Sequence, residues 1–480
     1  MREGKIHIKE VLHAANQVNR SDIDTKLQSA LQQFHGKIVV LDDDPTGVQT
    51  VHGVSVYTDW SAASIEEGFQ EESSMFFILT NSRGLTRKET EQIHREIALQ
   101  ILMAAKKCKK EFIIISRSDS TLRGHYPLET QIIKETIESN SDIRFHGEII
   151  LPFFQEGGRF TLDGMHYIQE GDYLIPVGET EFAKDKTFGY VQSHLGKWVE
   201  EKCNGEYKAA DMEYIPIQAI GEIKIDSIVQ QLLKVNGFHK VIVDAIDNVD
   251  VKIFTIALLK ALQSGRYFIF RTAAAFPKVI GNIADKELLL RKDVMLKENQ
   301  HGGLVIVGSH VKKTTEQLAE LKNSHGIEFV EFNQHLVLHP SELAIEVKRV
   351  VLLCEKCIRA GQTVVVYTRR ERLDIGSDNK EEELKIAVKI SDAITSIARQ
   401  LTVRPNYIIA KGGITSSDIG VKGLEVKKAL VAGQIKPGIP VWITGKESRF
   451  PGMPYIIFPG NVGKSTTLRE AIEMLDNKDA

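Results

Sequence analysis

The sequence predicts an α/β chain of two domains, each built on a mostly parallel sheet covered by helices. Three observations carry that expectation. At 480 residues the chain exceeds what one core usually accommodates, so two domains of about 200 residues or more are expected. Short β-branched apolar runs recur along it, each followed by Gly, Asp, Ser or Thr and then by a segment of helical periodicity. The runs are continuous rather than alternating, which is how strands buried on both faces of a parallel sheet read.

Taken in order, residues 1–36 have helical character and no chemistry, and are read as an N-terminal extension. Strands follow at 37–41 (KIVVL), 75–80 (MFFILT), 112–116 (FIIIS), 147–152 (GEIILP), 240–245 (KVIVDA) and 267–272 (YFIFRT), all within a first domain spanning 37–285. The charged, strand-free stretch 282–303, ending in two glycines, marks the boundary. A second domain spanning 300–480 carries strands at 304–309 (LVIVGS), 363–368 (TVVVYT), 406–413 (NYIIAKGG), 440–445 (PVWITG) and 455–461 (YIIFPGN).

The 61 Lys and Arg against 64 Asp and Glu leave a formal net charge of -3 with no long basic run, so nucleic acid is not an expected partner. No apolar run has the length of a membrane span, and the charged N-terminus lacks the apolar core of a signal peptide, which points to a soluble cytoplasmic protein. Four cysteines are too few for a disulfide framework in a chain of this size. Cys354 and Cys357 form a lone CxxC within helical spacing and without a second Cys or His pair, so a structural helix is expected there and no metal site.

Ligands of open α/β sheets bind beyond the carboxyl ends of the strands, which directs attention to the residues after each run. In the first half these are charged and polar. The first strand leads into Asp42-Asp43-Asp44-Pro45-Thr46-Gly47, the second into Asn81-Ser82-Arg83-Gly84, and the third into Arg117-Ser118-Asp119-Ser120-Thr121-Leu122-Arg123-Gly124. Three consecutive carboxylates repel one another unless they are solvated, paired with cations or hydrogen-bonded at a loop start. Asp-Pro-Thr-Gly alone is ordinary turn chemistry, but the buried strand before it places at least the first Asp in a low dielectric. Such a carboxylate suits a general base acting on a substrate hydroxyl, or an acceptor that orients hydroxyl groups. Arg117 and Arg123, with Asp119, Ser120 and Arg83 as companions, suit an anionic ligand, and the same arginines can pair with the Asp triplet. After the fourth strand, Gly157-Gly158-Arg159 and Asp163-Gly164 have the composition of a loop that closes over a site.

In the second half the corresponding positions turn to Gly308-Ser309-His310, Gly412-Gly413-Ile414-Thr415-Ser416-Ser417 and Gly460-Asn461-Val462-Gly463. Amides exposed by glycine at helix starts cradle phosphates, and small hydroxyls complete the cradle, so this half has the character of a nucleotide site. Gly463-Lys464-Ser465 imitates a Walker A loop, but that loop requires a glycine where Phe458 stands.

LDDDPTGVQTV, RSDSTLRGH, FFQEGGRFTLDG with GETEFAKD, FRTAA, GSHVKKTTEQL, AKGGITSSDI and PGNVG occur in the order seen in the four-carbon acid sugar kinase family. The chain resembles that family from residue 37 to its C-terminus. The resemblance implies an N-terminal substrate domain, a C-terminal nucleotide domain and an active site in the cleft between them. It also implies that ATP, carried with Mg2+, phosphorylates the terminal hydroxyl of a tetronate or 3-oxo-tetronate. On the matched positions, Asp42, Asp43, Asp44, Arg117, Asp119 and Arg123 fall on the substrate side, with Thr46, Asn81, Arg83, Ser120, Gly158 and Arg159 as further candidates there. Ser309, Gly412, Gly413, Thr415, Ser416, Gly460, Asn461 and Gly463 fall on the ATP side. The family's Gly-Ser-Cys-Ser turn stands here as Gly308-Ser309-His310-Val311, and Ile414 replaces the Glu frequent in its Gly-Gly-Glu-Thr turn.

The expected mechanism has Arg117 and Arg123 holding the substrate carboxylate while an aspartate accepts the hydroxyl proton. A dinucleotide-dependent dehydrogenase is disfavoured because no Gly-x-Gly-x-x-Gly follows the first strand. A non-catalytic acid-sugar sensor would have no need of the hydroxyl-rich turns. The choice of four-carbon acid, the base within the triplet and homo-oligomer formation stay open at this level.

Overall fold

The computed structural model describes residues 4–12, 19–296, 299–371, 373 and 380–477. The chain divides into two compact units, Met1–Gly47 with Trp60–Ala284, and Val48–Asp59 with Asp285–Ala480. Chain order alone would leave Val48–Asp59 in the first unit. It groups with the second because its strand Ser55–Tyr57 pairs antiparallel with Lys428–Lys436.

In the first unit the parallel strands among the described residues run in the order Glu213–Ile215, His239–Val243, Gly147–Leu151, Phe268–Thr272, Phe112–Arg117, Lys37–Asp42, Met75–Leu79. All but the three-residue Glu213–Ile215 were predicted, that strand being too short for a periodic signal. Every residue of Lys37–Asp42, Met75–Leu79 and Gly147–Leu151 is buried, as strands covered on both faces require. Each large apolar side chain so enclosed contributes about 1.5–3 kcal/mol. Lys37–Asp42 lies between Met75–Leu79, which follows it in the chain, and Phe112–Arg117, which comes next. The chain thus passes to one side of the first strand and returns to the other, and this reversal creates a crevice at the carboxyl ends.

The N-terminal stretch belongs to this unit's outer layers. Helix Arg20–Gln32 packs on helix Asn248–Gln263, burying Ile23 and Leu27 and placing Arg20 2.9 Å from Asp247. A small antiparallel sheet is formed by Ile6–His7, Tyr173–Pro176, Met165–Glu170 and Arg159–Leu162. The segment whose composition suggested a closing loop is therefore a hairpin. Its two-residue turn, Asp163 and Gly164, has φ of 52° and 73°, the handedness that matches strand twist.

The second unit has parallel strands Pro454–Phe458, Ile408–Lys411, Leu304–Val307, Val364–Thr368 and Glu328–Phe332, extended by antiparallel Ile439–Thr444, Lys428–Lys436 and Ser55–Tyr57. Helices Lys312–Leu321 and Thr467–Asp476 bury Leu318, Leu468 and Ile472 against Val307, Ile409 and Phe458. Cys354 and Cys357 are buried free thiols on helix Pro340–Arg359, where burial pushes Cys354 up to about 12. Among the described residues no helix is long and apolar enough to cross a membrane.

Candidate active site

The strand Lys37–Asp42 delivers Asp42 to the crevice, and the loop after it returns so closely that a Cβ on Gly47 would lie 2.1 Å from both Asp42 carboxylate oxygens. Any side chain at position 47 would displace the Asp42 carboxylate from its bonds. Asp42 Oδ1 accepts from the Asp44 amide at 3.3 Å and from Arg117 Nη1 at 3.1 Å. Arg117 ends the neighbouring strand in register with Asp42, and the same nitrogen reaches Asp43 Oδ1 at 3.4 Å. The Thr80 and Asn81 amides bond the Asp42 carbonyl, and Asn81 then takes a left-handed φ of 53°. That reversal turns Arg83 back, with Nε 3.1 Å from Asp43 Oδ2 and Nη2 2.6 Å from Asp44 Oδ2. Thr46 donates its amide at 2.8 Å and its hydroxyl at 2.5 Å to Asp44 Oδ1.

The loop after Arg117 joins the same network. The Asp119 amide donates to Asp43 Oδ2 at 3.2 Å. The Asp119 carboxylate accepts from the Thr121 hydroxyl, from the Thr121 amide at 3.2 Å and from Arg123 Nε at 2.6 Å. Arg83 Nη1 stands 3.8 Å from it. Ser120 offers its carbonyl to His166 Nε2 at 2.8 Å, which fixes the ring proton there and leaves Nδ1 to accept from Thr161 at 2.9 Å. Burial pulls His166 down to about 4, so it stays neutral.

The four carboxylates divide by environment. Burial raises Asp42 to about 7 against the pull of Arg117, and raises Asp43 to about 6 against Arg83 and Arg117. Burial opposes ionisation of Asp44 and Asp119 as well. There it is overcome by Arg83 and the Thr46 donors at Asp44, and by Arg83, Arg123 and Thr121 at Asp119, so both lie below the ordinary carboxylate range. Two fixed anions therefore sit beside two carboxylates that titrate near neutrality.

The arginines divide as well. Arg117 faces Asp42 and Asp43, and Arg123 faces Asp119 with Asp185 3.7 Å away, so both of the expected anion binders are engaged within the network. Arg159 and Arg271 are not. Arg271, 4% exposed at the end of Phe268–Thr272, donates Nη2 to the Arg123 carbonyl at 3.1 Å and leaves Nε buried without a partner. Arg159 Nε is likewise buried and unpartnered, its guanidinium 5.8 Å from the Phe182 ring. Among the described residues neither has a carboxylate within ion-pair distance. Gly124, at the glycine-favouring φ of 119°, adjoins both Asp43 and Arg271: a Cβ there would lie in ordinary contact, 3.6 Å from Asp43 Oδ2 and 3.7 Å from Arg271 Nη2. A buried guanidinium without a counter-charge is unfavourable until an anion arrives. Arg271 and the buried, unpartnered Thr272 hydroxyl were not among the sequence-derived site residues, although their place at a strand's carboxyl end was the available signal. Gly158, at φ 73°, serves the hairpin: a Cβ on it would meet the Gln169 Cβ at 2.9 Å.

In the second unit the glycine turns gather at the carboxyl ends of Leu304–Val307, Ile408–Lys411 and Pro454–Phe458. The Gly308 and Ser309 amides bond the Lys411 carbonyl at 3.2 and 3.3 Å, and the Gly412 amide bonds the Phe458 carbonyl at 2.9 Å. A Cβ on Gly308 would lie 2.3 Å from Thr415 Oγ1, one on Gly460 2.8 Å from Ser309 Oγ, and one on Gly412, at φ 130°, 3.1 Å from Ser309 Cβ. Ser309, Gly412, Thr415 and Gly460 thus come together. Lys411, fully buried, donates to the Pro459 and Gly460 carbonyls at 2.7 and 3.2 Å, and burial, then Lys313, pulls it down to about 7. Gly413 opens helix Gly413–Asp418, and Ser416 turns inward, its hydroxyl donating to the Gly413 carbonyl at 3.0 Å. Asn461 is exposed, Gly463 turns at φ 85°, and Ile414 is 70% exposed.

Residues 38–280 match the model of a sugar-binding N-terminal domain, and residues 304–468 that of a nucleotide-binding C-terminal domain. The chain belongs to the four-carbon acid sugar kinase family. A D-erythronate kinase of Heliobacterium modesticaldum is 24% identical to it over 384 residues, 76% of this chain and 79% of that protein. A Haemophilus influenzae protein of the DUF1537 family shares the fold with a TM-score of 0.62 at 16% identity, over 91% of this chain and 100% of its own. A Salmonella typhimurium LT2 protein named as a tRNA synthase does so with a TM-score of 0.63 at 16% identity, over 91% and 98%. These two likenesses concern the fold alone. In this member of the four-carbon acid sugar kinase family the aspartate–arginine network falls inside the sugar-binding match, and the glycine turns fall inside the nucleotide-binding match.

Proposed function

We propose that the chain uses ATP to phosphorylate the terminal hydroxyl of a four-carbon acid sugar, such as erythronate, threonate or a 3-oxo-tetronate, giving the 4-phosphate. The observation that carries this reading is that Gly124 brings the Asp43 carboxylate and the incompletely satisfied Arg271 to either side of one backbone position. A small hydroxy acid would bring a hydroxyl to the aspartate and a carboxylate to the arginine. Asp43, near 6, has the strength of a general base at neutral pH, and Arg271 with Arg159 offers charged donors for a carboxylate. Both Asp42 and Asp43 bond Arg117, but Asp42 lies beneath the Gly47 loop while Asp43 Oδ2 lies on the side of Gly124 and Arg271, so we assign the proton-accepting role to Asp43 and a positioning role to Asp42. Asp44 and Asp119, kept ionised, hold Arg83 and Arg123 in place.

Phosphoryl transfer asks a protein chiefly for positioning and charge stabilisation. In the second unit the amides of Gly413 and Gly460, with the Ser309 and Thr415 hydroxyls, are suited to the nucleotide phosphates. A magnesium ion carried with the nucleotide would supply charge neutralisation at its phosphates.

The test is ADP release in a coupled assay across erythronate, threonate and their oxo derivatives, with erythritol as the control that lacks a carboxylate. Turnover with one of the acids and none with erythritol is expected. Acid binding without ADP release would make the chain a sensor, and absence of any acid dependence would sink the reading.

A further inference from the structure

Arg370 lies just past the strand Val364–Thr368, on the carboxyl edge that carries the glycine turns, and neither glycine nor hydroxyl spacing draws attention to it. Its Nη2 donates to the Ser309 carbonyl at 2.7 Å and to Thr315 Oγ1 at 2.8 Å. The guanidinium is thereby drawn across the Gly308-Ser309 turn and the first turn of the ten-residue helix Lys312–Leu321. Its Nε and Nη1 are buried and, among the described residues, bond nothing. Among the described residues no carboxylate lies within ion-pair distance of it, whereas the adjacent Arg369 stands 3.2 Å from Glu331. Ser309, to which Arg370 is tied, is also the residue whose side chain adjoins the Gly412 and Gly460 positions. Val311 caps the helix without a side-chain acceptor, so its first amides take no capping bond from that residue.

A guanidinium partly withdrawn from water and without a counter-charge among the described residues favours an anion, and its donors suit phosphate oxygens. We infer that Arg370 is a phosphate ligand of the bound nucleotide, tied by Nη2 to the Ser309 turn and offering a free N–H group to a phosphate oxygen. This assignment rests on the nucleotide reading of the second unit and adds a cation to a cradle otherwise made of amides and hydroxyls. The turn 308–311, Gly-Ser-His-Val, has one hydroxyl only, so charge from Arg370 takes the place of a second neutral donor.

Calorimetric binding of ATP and of adenosine to the full-length chain, without acid sugar, tests it, with thermal unfolding as the check on folding. The wild type should bind ATP far more tightly than adenosine. In R370Q, ATP binding should weaken roughly 10- to 100-fold, with adenosine binding changed by no more than about twofold. R370K, which keeps the charge but loses the fork, should fall between, and it decides the matter by the same split if R370Q does not fold. Equal loss for ATP and adenosine, or no loss for either, overturns the assignment and leaves Arg370 as a tie within the turn. A wild type that binds ATP beside an indifferent R370Q overturns this assignment alone. A wild type that binds neither nucleotide nor nucleoside overturns the nucleotide reading and this assignment with it.

Discussion

The two units prepare for their ligands with opposite materials. In the first, the carboxyl edge is dense with charge: Asp42, Asp43, Asp44 and Asp119 are interlocked with Arg83, Arg117 and Arg123, while Arg159 and Arg271 have no acidic partner at ion-pair distance among the described residues. In the second, the same edge is built of glycine, serine and threonine around backbone amides, with Lys411 and Arg370 as isolated cations. A buried charge network is stiff because removing one ion leaves another uncompensated, whereas an amide cradle needs only that glycine let the backbone come close. Stiffness suits discrimination among small polyhydroxy acids. A cradle suits phosphates, which every nucleotide carries.

The sharpest way to break that comparison is to remove the base assigned to the first unit. D43N should lose turnover by about 10²- to 10⁴-fold while folding and binding ATP as before, measured as kcat beside nucleotide affinity. Full activity in D43N would refute the assignment, and full activity in D42N and D44N as well would remove the triplet from the chemistry. Next in size, R271Q should raise KM for the acid sugar roughly 10- to 100-fold and leave KM for ATP unchanged. An equal rise in both would show that Arg271 supports the fold and not the acid. On the other side, G412A places a Cβ 3.1 Å from Ser309 Cβ at φ 130°, at a cost of about 1–3 kcal/mol. It should weaken ATP binding and spare acid-sugar binding, so calorimetry with each ligand separates the two units.

The smallest expected effect is on stability. Asp42 and Asp43 titrate at about 7 and about 6 in the fold against the ordinary value of 3.8, so the folded state holds more protons than the unfolded chain between those limits. Stability contributed by the protonated forms is present below about pH 4 and lost as pH rises to about 7. D42N removes one such carboxyl. Its Tm relative to wild type should therefore rise between pH 4 and pH 8, and a constant difference would contradict the raised titration.

Much of the fold was legible because continuous apolar runs identify doubly covered strands, and the eleven predicted strands are all present. Lys428–Lys436 escaped because it alternates, turning Ala429, Val431, Gly433 and Ile435 inward, and it reads by a period of two that a search for continuous runs passes over. The chemistry at the strand ends was legible as residue type: carboxylates and arginines in one half, glycines and hydroxyls in the other. Arg117 and Arg271 look alike in that reading, each following an apolar strand. Nothing local separates them.

The sequence by itself therefore determined the α/β class, the strands that lead into the polar turns, and the division between charged and glycine-rich halves, all of which depend on composition and short-range periodicity. Tertiary structure alone decided which charges are engaged. Arg117 meets Asp42 across 75 positions of chain, and Arg271 reaches the Arg123 carbonyl across 148, with no carboxylate among the described residues at ion-pair distance. Pairing depends on distance and burial in space, and it is pairing that separates an arginine engaged in a network from one without a counter-charge.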